Sequence, residues 1–173
     1  MTRLGFPALL LAVAAPCLAA VPEPTGLSDA LRPPADEQPA FMLKAAGVQI
    51  YTCKTKPDDS YSYAWSFVAP SAALMEGDKT VGKHGAGPVW ESTSDGSSVK
   101  GAVKQRQDGG AGNIPWLLLG GASAGSGRFA GVTSVLRVAT IGGTEPAAGC
   151  DASAVGKEVR VPYTADYYFY KKK

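Results

Sequence analysis

From Ala40 to Tyr170 the apolar residues fall in short runs or alternate with polar ones, and glycine-rich stretches separate the runs. Alternation with a period of two is clearest at Tyr61, Tyr63, Trp65 and Phe67, whose rings share one face while Ser62, Ala64 and Ser66 take the other. Val132, Ser134, Leu136, Val138 and Tyr163, Ala165, Tyr167, Phe169 follow the same rule. The pattern predicts strands over Ala40 to Ala45, Val48 to Lys54, Tyr61 to Ala69, Pro88 to Ser92, Ser98 to Gln105, Val132 to Thr140, Glu158 to Val161 and Tyr163 to Tyr170. Asp95-Gly96 between two strand-like runs is the strongest short hairpin signal. Asp108 to Asn113, Gly120 to Gly127 and Gly142 to Gly149 read as loops, and Ile114 to Leu119 reads equally as a buried strand or a turn of helix. With 21 glycines in 173 residues, long helices are disfavoured. The expected fold class is all-β: one antiparallel β-sandwich or partly closed β-barrel of about eight strands.

The first twenty residues follow a different pattern. Arg3 precedes an apolar run from Leu4 to Ala15, and small residues at Ala19 and Ala20 follow, which together read as a secretory signal peptide over residues 1–20. The run is shorter than the roughly 20 apolar residues of a membrane-spanning helix, and no later segment approaches that length, so no transmembrane segment is expected. Cys17 lacks the preceding Leu and small residue of a lipidation site. Residues 21–39 hold five prolines and no periodicity, and read as a Pro-rich N-terminal arm or linker. Residues 40–170 form the β domain and residues 171–173 a solvated basic tail. The expected location is periplasmic or secreted.

Composition narrows the partners. Loss of Arg3 with the signal changes 17 basic and 15 acidic residues to 16 and 15, a formal charge of +1. That balance offers no electrostatic footprint for nucleic acid. The cysteines remaining are Cys53 and Cys150, and in an oxidising compartment an even count reads as a disulfide. With no Cys-x-x-Cys and a single histidine, neither a redox pair nor a metal site is expected, and no cofactor-binding motif occurs.

Candidate chemistry gathers in Val81 to Gly101, which holds the single histidine, a tryptophan, two carboxylates and two lysines among glycines. His84, oriented by Glu91 or Asp95, has the residue types of a general acid/base pair. The structural alternative makes His84 a turn residue bonded to backbone, Trp90 core and Asp95 a turn former. Gly121-Ala122-Ser123-Ala124-Gly125 matches a nucleophile-elbow spacing without the strand-turn-helix context that gives the motif meaning, and reads as a loop. Tyr163, Asp166 and Tyr168 are candidates to line a polar opening at a strand end, while most other aromatics read as core.

GVQIYTC (Gly47 to Cys53), AWSFVAP (Ala64 to Pro70), VGKHGAGPVWE (Val81 to Glu91), IPWLLL (Ile114 to Leu119), GCDAS (Gly149 to Ser153) and VPYTADYYFY (Val161 to Tyr170) together resemble an exported family of bacteria and fungi. That family is catalogued as a domain of unknown function, the one numbered 3455. The resemblance runs from about Pro33 to Tyr170 and implies export and a single domain, but it brings no activity or catalytic residues. The chain departs from the family pattern at Gly85 and Val89, where Tyr and Thr are usual.

The functional expectation is an exported small-molecule or glycan-binding or structural module of the cell envelope. Its site would be built from His84, Trp90, Glu91 and nearby aromatics. The alternative is a hydrolase using His84 with Glu91, which requires those two side chains to meet in a cleft.

Overall fold

The computed structural model describes residues 21–173, so the signal-like segment and Cys17 lie outside the described residues. Eight strands run in chain order: β1 (Glu37–Lys56), β2 (Asp59–Glu76), β3 (Lys79–Gly85), β4 (Val89–Ser92), β5 (Ser98–Gln107), β6 (Trp116–Ala124), β7 (Val132–Gly142) and β8 (Glu158–Lys172). Each is antiparallel to the next, and β8 pairs with β1 over most of its length, from Glu37↔Lys172 to Thr52↔Glu158, so one sheet closes on itself. The fold is therefore the barrel alternative of the expected class, not the sandwich. It is an irregular ring, because its strands range from 20 residues in β1 to 4 in β4.

The number of strands matches the expectation, but the assignment differs in four places. The two segments expected at 40–45 and 48–54 are one strand, as are those at 158–161 and 163–170. In exchange, β3 is a strand where the sequence pattern suggested none, and β6 takes the strand alternative for Ile114 to Leu119 and continues into the stretch read as a loop, so Gly121 to Ala124 are sheet residues. Pro162 explains the second split, and the first falls at Ala46-Gly47. Pro39, Pro70 and Pro162 lie inside strands, each beyond the end of one flanking ladder: β2 pairs with β1 only from Lys44, β3 with β2 only from Ala72, and β7 with β8 only up to Tyr163. A residue without an N–H is tolerated where one side of its strand has no partner. Gly47 is needed for close approach, since a Cβ there would stand 2.2 Å from the Ser71 carbonyl oxygen of β2.

Inward-facing residues fill the ring from one end. Phe41, Phe129 and Phe169 close that end, with Phe129 lying edge-on to Phe41 at 5.7 Å and to Phe169 at 5.0 Å. Phe129 comes from the β6–β7 loop, which is held by Phe129 N–H donating to Ser97 Oγ and Arg128 N–H donating to the Asp95 carboxylate. Asp95 thus serves the Asp95-Gly96 hairpin and the plug together, and the Ser97 hydroxyl and the two backbone donors hold its pKa below the usual carboxylate range. Above the plug come Leu43, Leu74, Trp90, Val99, Leu119, Val135 and Tyr167. Gly101 makes room there, because a Cβ would lie 2.8 Å from the Trp90 ring.

The Pro-rich stretch read as an arm or linker is packed. A 3₁₀ turn at Asp29–Leu31 places Leu31 at 0% exposure on the outer face of the sheet against Leu118, Leu136, Val138, Tyr168 and Tyr170, with Leu27 beside it. Gln107 accepts from Ser28 N–H and donates to the Gly26 carbonyl, fixing the turn to β5. Leu31→Ala should lower the free energy of unfolding by about 2 to 5 kcal/mol, as for other fully buried leucines, measured by urea denaturation. A change below 0.5 kcal/mol, as at a surface position, would mean that the turn is dispensable.

Candidate functional site

The open end follows from strand length. Residues 59–70 of β2 extend past the end of β3 and keep only β1 as a neighbour, so the β1–β2 hairpin overhangs the ring. Between this overhang and the β3–β4 turn lies a cavity of about 540 Å³. Gln49, Tyr51, Phe67, Val68 and Pro70 wall it on the overhang side; His84, Gly87, Pro88, Val103 and Arg106 face them from β3 to β5. Ile114, Pro115, Leu117 and Arg137 form the far wall, and Thr144 and Glu145 the rim. Phe67, Val68 and Val103 are among the few large apolar side chains left exposed, at 53%, 47% and 49%.

Cys53 and Cys150 are joined as expected. The bond ties the β7–β8 loop to the overhang, where Cys53 N–H also donates to the Lys157 carbonyl and its carbonyl accepts from Gly156 N–H. A crosslink across 97 positions contributes about 4 to 5 kcal/mol on the chain-entropy account. The same loop carries Gly143, whose carbonyl accepts from the Tyr51 hydroxyl at 2.7 Å, so the disulfide also steadies one side of the rim.

The far wall is held through backbone. Ile114 N–H donates to the Gly142 carbonyl, its own carbonyl accepts from Thr140 Oγ1, and Asn113 Oδ1 accepts from Gly142 N–H. This fixes Pro115, whose carbonyl accepts from both Nε (3.0 Å) and Nη2 (2.7 Å) of Arg137. Arg137 is half-buried and forms no ion pair among the described residues. Around it, Gln49 Nε2 and the Tyr163 and Tyr167 hydroxyls are buried within reach of one another and of Arg137, but none makes a close hydrogen bond. Burial raises the pKa of both tyrosines, so they are neutral donors.

His84 lies in the same interior. Its ring stacks on Trp90 at 4.5 Å and meets Tyr167 edge-on at 5.1 Å. Nδ1 lies 2.9 Å from the Val89 carbonyl, an acceptor, so Nδ1 carries the proton and Nε2 is left as an acceptor. Burial, with the Arg137 charge as a smaller cause, lowers its pKa to about 4, against the upward pull of the Val89 carbonyl.

These positions separate the sequence-derived candidates. His84 pairs with Trp90 across β3 and β4 and Lys83 with Glu91, so alternation sends Glu91 to the outer surface, where it meets Lys83 at 3.0 Å. The acid/base pair of His84 and Glu91 is not formed. Trp90 is sealed in the core. Tyr163 faces the interior, but Asp166 and Tyr168 face outward, Asp166 across from Lys44 and Tyr168 under the N-terminal turn, so these three do not line one opening. Of the ladder read as core, Tyr61 is 88% exposed on the overhang and Trp65 Nε1 reaches the Ala148 carbonyl. At Gly85, one of the two family departures, an added Cβ would meet open space, so the usual tyrosine fits there without displacing a neighbour.

Gln49, Tyr51, Arg106 and Arg137 escaped the sequence reading. Arg137 carried a signal: it is the single charge within Val132 to Ile141. Its phase misled, because a register shift between Val132 and Ser134 turns Val135 and Arg137 inward and Leu136 and Val138 outward.

Fold and site define a closed antiparallel eight-stranded β ring with a half-polar cavity at one mouth. The chain belongs to the family described as Protein of unknown function (DUF3455), whose model matches residues 34–80 and 76–171. Neither a curated protein nor a solved structure matches it.

The His84 environment predicts a pH dependence. Its pKa is about 4 folded and 6.5 unfolded. Its contribution is therefore complete above pH 6.5 and is lost as pH falls from 6.5 through 4, by about 1.4 kcal/mol per pH unit and about 3 kcal/mol in all. In urea denaturation between pH 7 and pH 4, His84→Phe should lose about 3 kcal/mol less than the parent chain. Equal losses would show that His84 titrates normally in the folded protein.

Proposed function

We propose that this is an exported protein of the cell envelope or exterior that binds one small organic molecule in the mouth of the ring. Export is supported by the signal-like residues 1–20 and by a disulfide, a bond that persists in oxidising compartments. One observation carries the binding reading. A cavity of about 540 Å³ is rimmed by exposed Phe67, Val68 and Val103, and its wall holds Gln49 and Arg137, backed by the buried hydroxyls of Tyr163 and Tyr167. Ligand sites combine apolar walls with a few convergent polar groups at this scale. Of the aromatics expected to stack on a glycan, Trp90 and Tyr168 are buried and add nothing to the mouth, where Phe67 is the exposed ring. The hydrolase reading loses its support with the separation of His84 from Glu91.

An uncharged fluorophore, N-phenyl-1-naphthylamine, tests the cavity. Its emission should rise on titration with the disulfide-bonded protein. The exposed rim change Phe67→Ser should weaken binding about tenfold while leaving stability within about 0.5 kcal/mol. No enhancement, or enhancement untouched by rim changes, would overturn the reading.

A further inference from the structure

We infer that the molecule bound in the mouth is an apolar monocarboxylate, with its carboxylate seated on Arg137 and its apolar body lying against Phe67, Val68 and Val103. This rests on the binding reading above and adds the chemical class. The guanidinium presents its Nε–Nη2 edge to the Pro115 carbonyl, which leaves Nη1 and one Nη2 proton for a second acceptor. A planar carboxylate matches that remaining edge with two parallel hydrogen bonds, and such pairing is among the stronger polar contacts in a protein. Arg137 has no carboxylate of the protein to pair with among the described residues. Gln49, 2% exposed, holds an unpartnered Nε2 in the same wall.

Charge sets the valence. The lining holds Arg137 within and Arg106 at the edge, opposed by Glu145 on the rim, while neutral His84 adds none. One excess positive charge suits a monoanion; a phosphate ester or a dicarboxylate would leave charge uncompensated beside Glu145. The other wall residues, Tyr51, Val68, Pro70, Ile114 and Leu117, are mostly apolar and fit a hydrocarbon or aryl body.

Displacement of N-phenyl-1-naphthylamine by decanoate and by decanamide at pH 7.5 tests the assignment, since the pair shares a tail and differs in charge. Decanoate should bind at least tenfold more tightly than decanamide. Arg137→Gln should abolish that preference while retaining the fluorophore, and Arg137→Lys should restore only part of it, because an ammonium lacks the fork. Circular dichroism checks that each variant is folded, and the comparison in the parent chain decides the matter if one is not. Equal displacement by acid and amide, or displacement by neither, overturns the carboxylate assignment and leaves the cavity reading standing. A fluorophore that fails to bind the parent chain overturns the cavity reading itself.

Discussion

The pairing of β1 with β8 is the constraint from which the rest of the structure follows. Closing a sheet removes its edges, so every strand must find two neighbours over some common length. Here the strands differ several-fold in length, and the common length is set by the shortest of them, β4 with four residues. Whatever the long strands add must project past the ring. In β1, β2 and β8 this excess forms the overhang, and the three strand prolines lie where excess length leaves one side without a partner. The mouth is open because β3 and β4 stop short of the overhang, leaving β2 and β5 to face each other across it.

The two ends are filled by opposite means. At the closed end Phe129, Phe41 and Phe169 pack edge to face, and Arg128 completes the plug with a two-pronged ion pair to Glu76. At the open end the interior turns polar. A buried donor left unpaired costs about 1 to 3 kcal/mol, and Gln49, Tyr163 and Tyr167 each leave one in the same region. Leucine or phenylalanine in their places would avoid that cost, so stability gives no account of these residues. Recognition does.

Much of the fold was legible because alternation and turns are local properties. Asp95-Gly96 and the β4 to β5 hairpin read directly, and so did the disulfide, since two cysteines permit one pairing. The misreadings were of kinds that a single sequence hides. β3, reading KTVGKHG, and the glycine-rich half of β6 carry little apolar periodicity, because their place in the ring is decided by neighbours distant in sequence. The aromatic ladder of Tyr61 to Phe67 has the alternation of a core strand, yet it falls on the overhang, where no opposite wall exists to bury it. The site was harder to read than the fold. His84 and Glu91 stand seven positions apart and seemed close, but the tight β3–β4 hairpin makes Trp90 the partner of His84 and sends Glu91 through to the other face.

His84 and Arg137 act on each other through the interior they share. The Arg137 charge disfavours a second cation nearby and contributes to the low pKa of His84, although burial is the larger cause. A neutral His84 in turn leaves Arg137 as the single positive charge inside the mouth. Reciprocity of linked equilibria then gives a definite relation: an anion that neutralises Arg137 must make protonation of His84 easier, and protonation of His84 must strengthen the hold on that anion by the same factor. Burial therefore keeps the imidazole uncharged at neutral pH, and an anion held at Arg137 would raise its pKa without any carboxylate beside it.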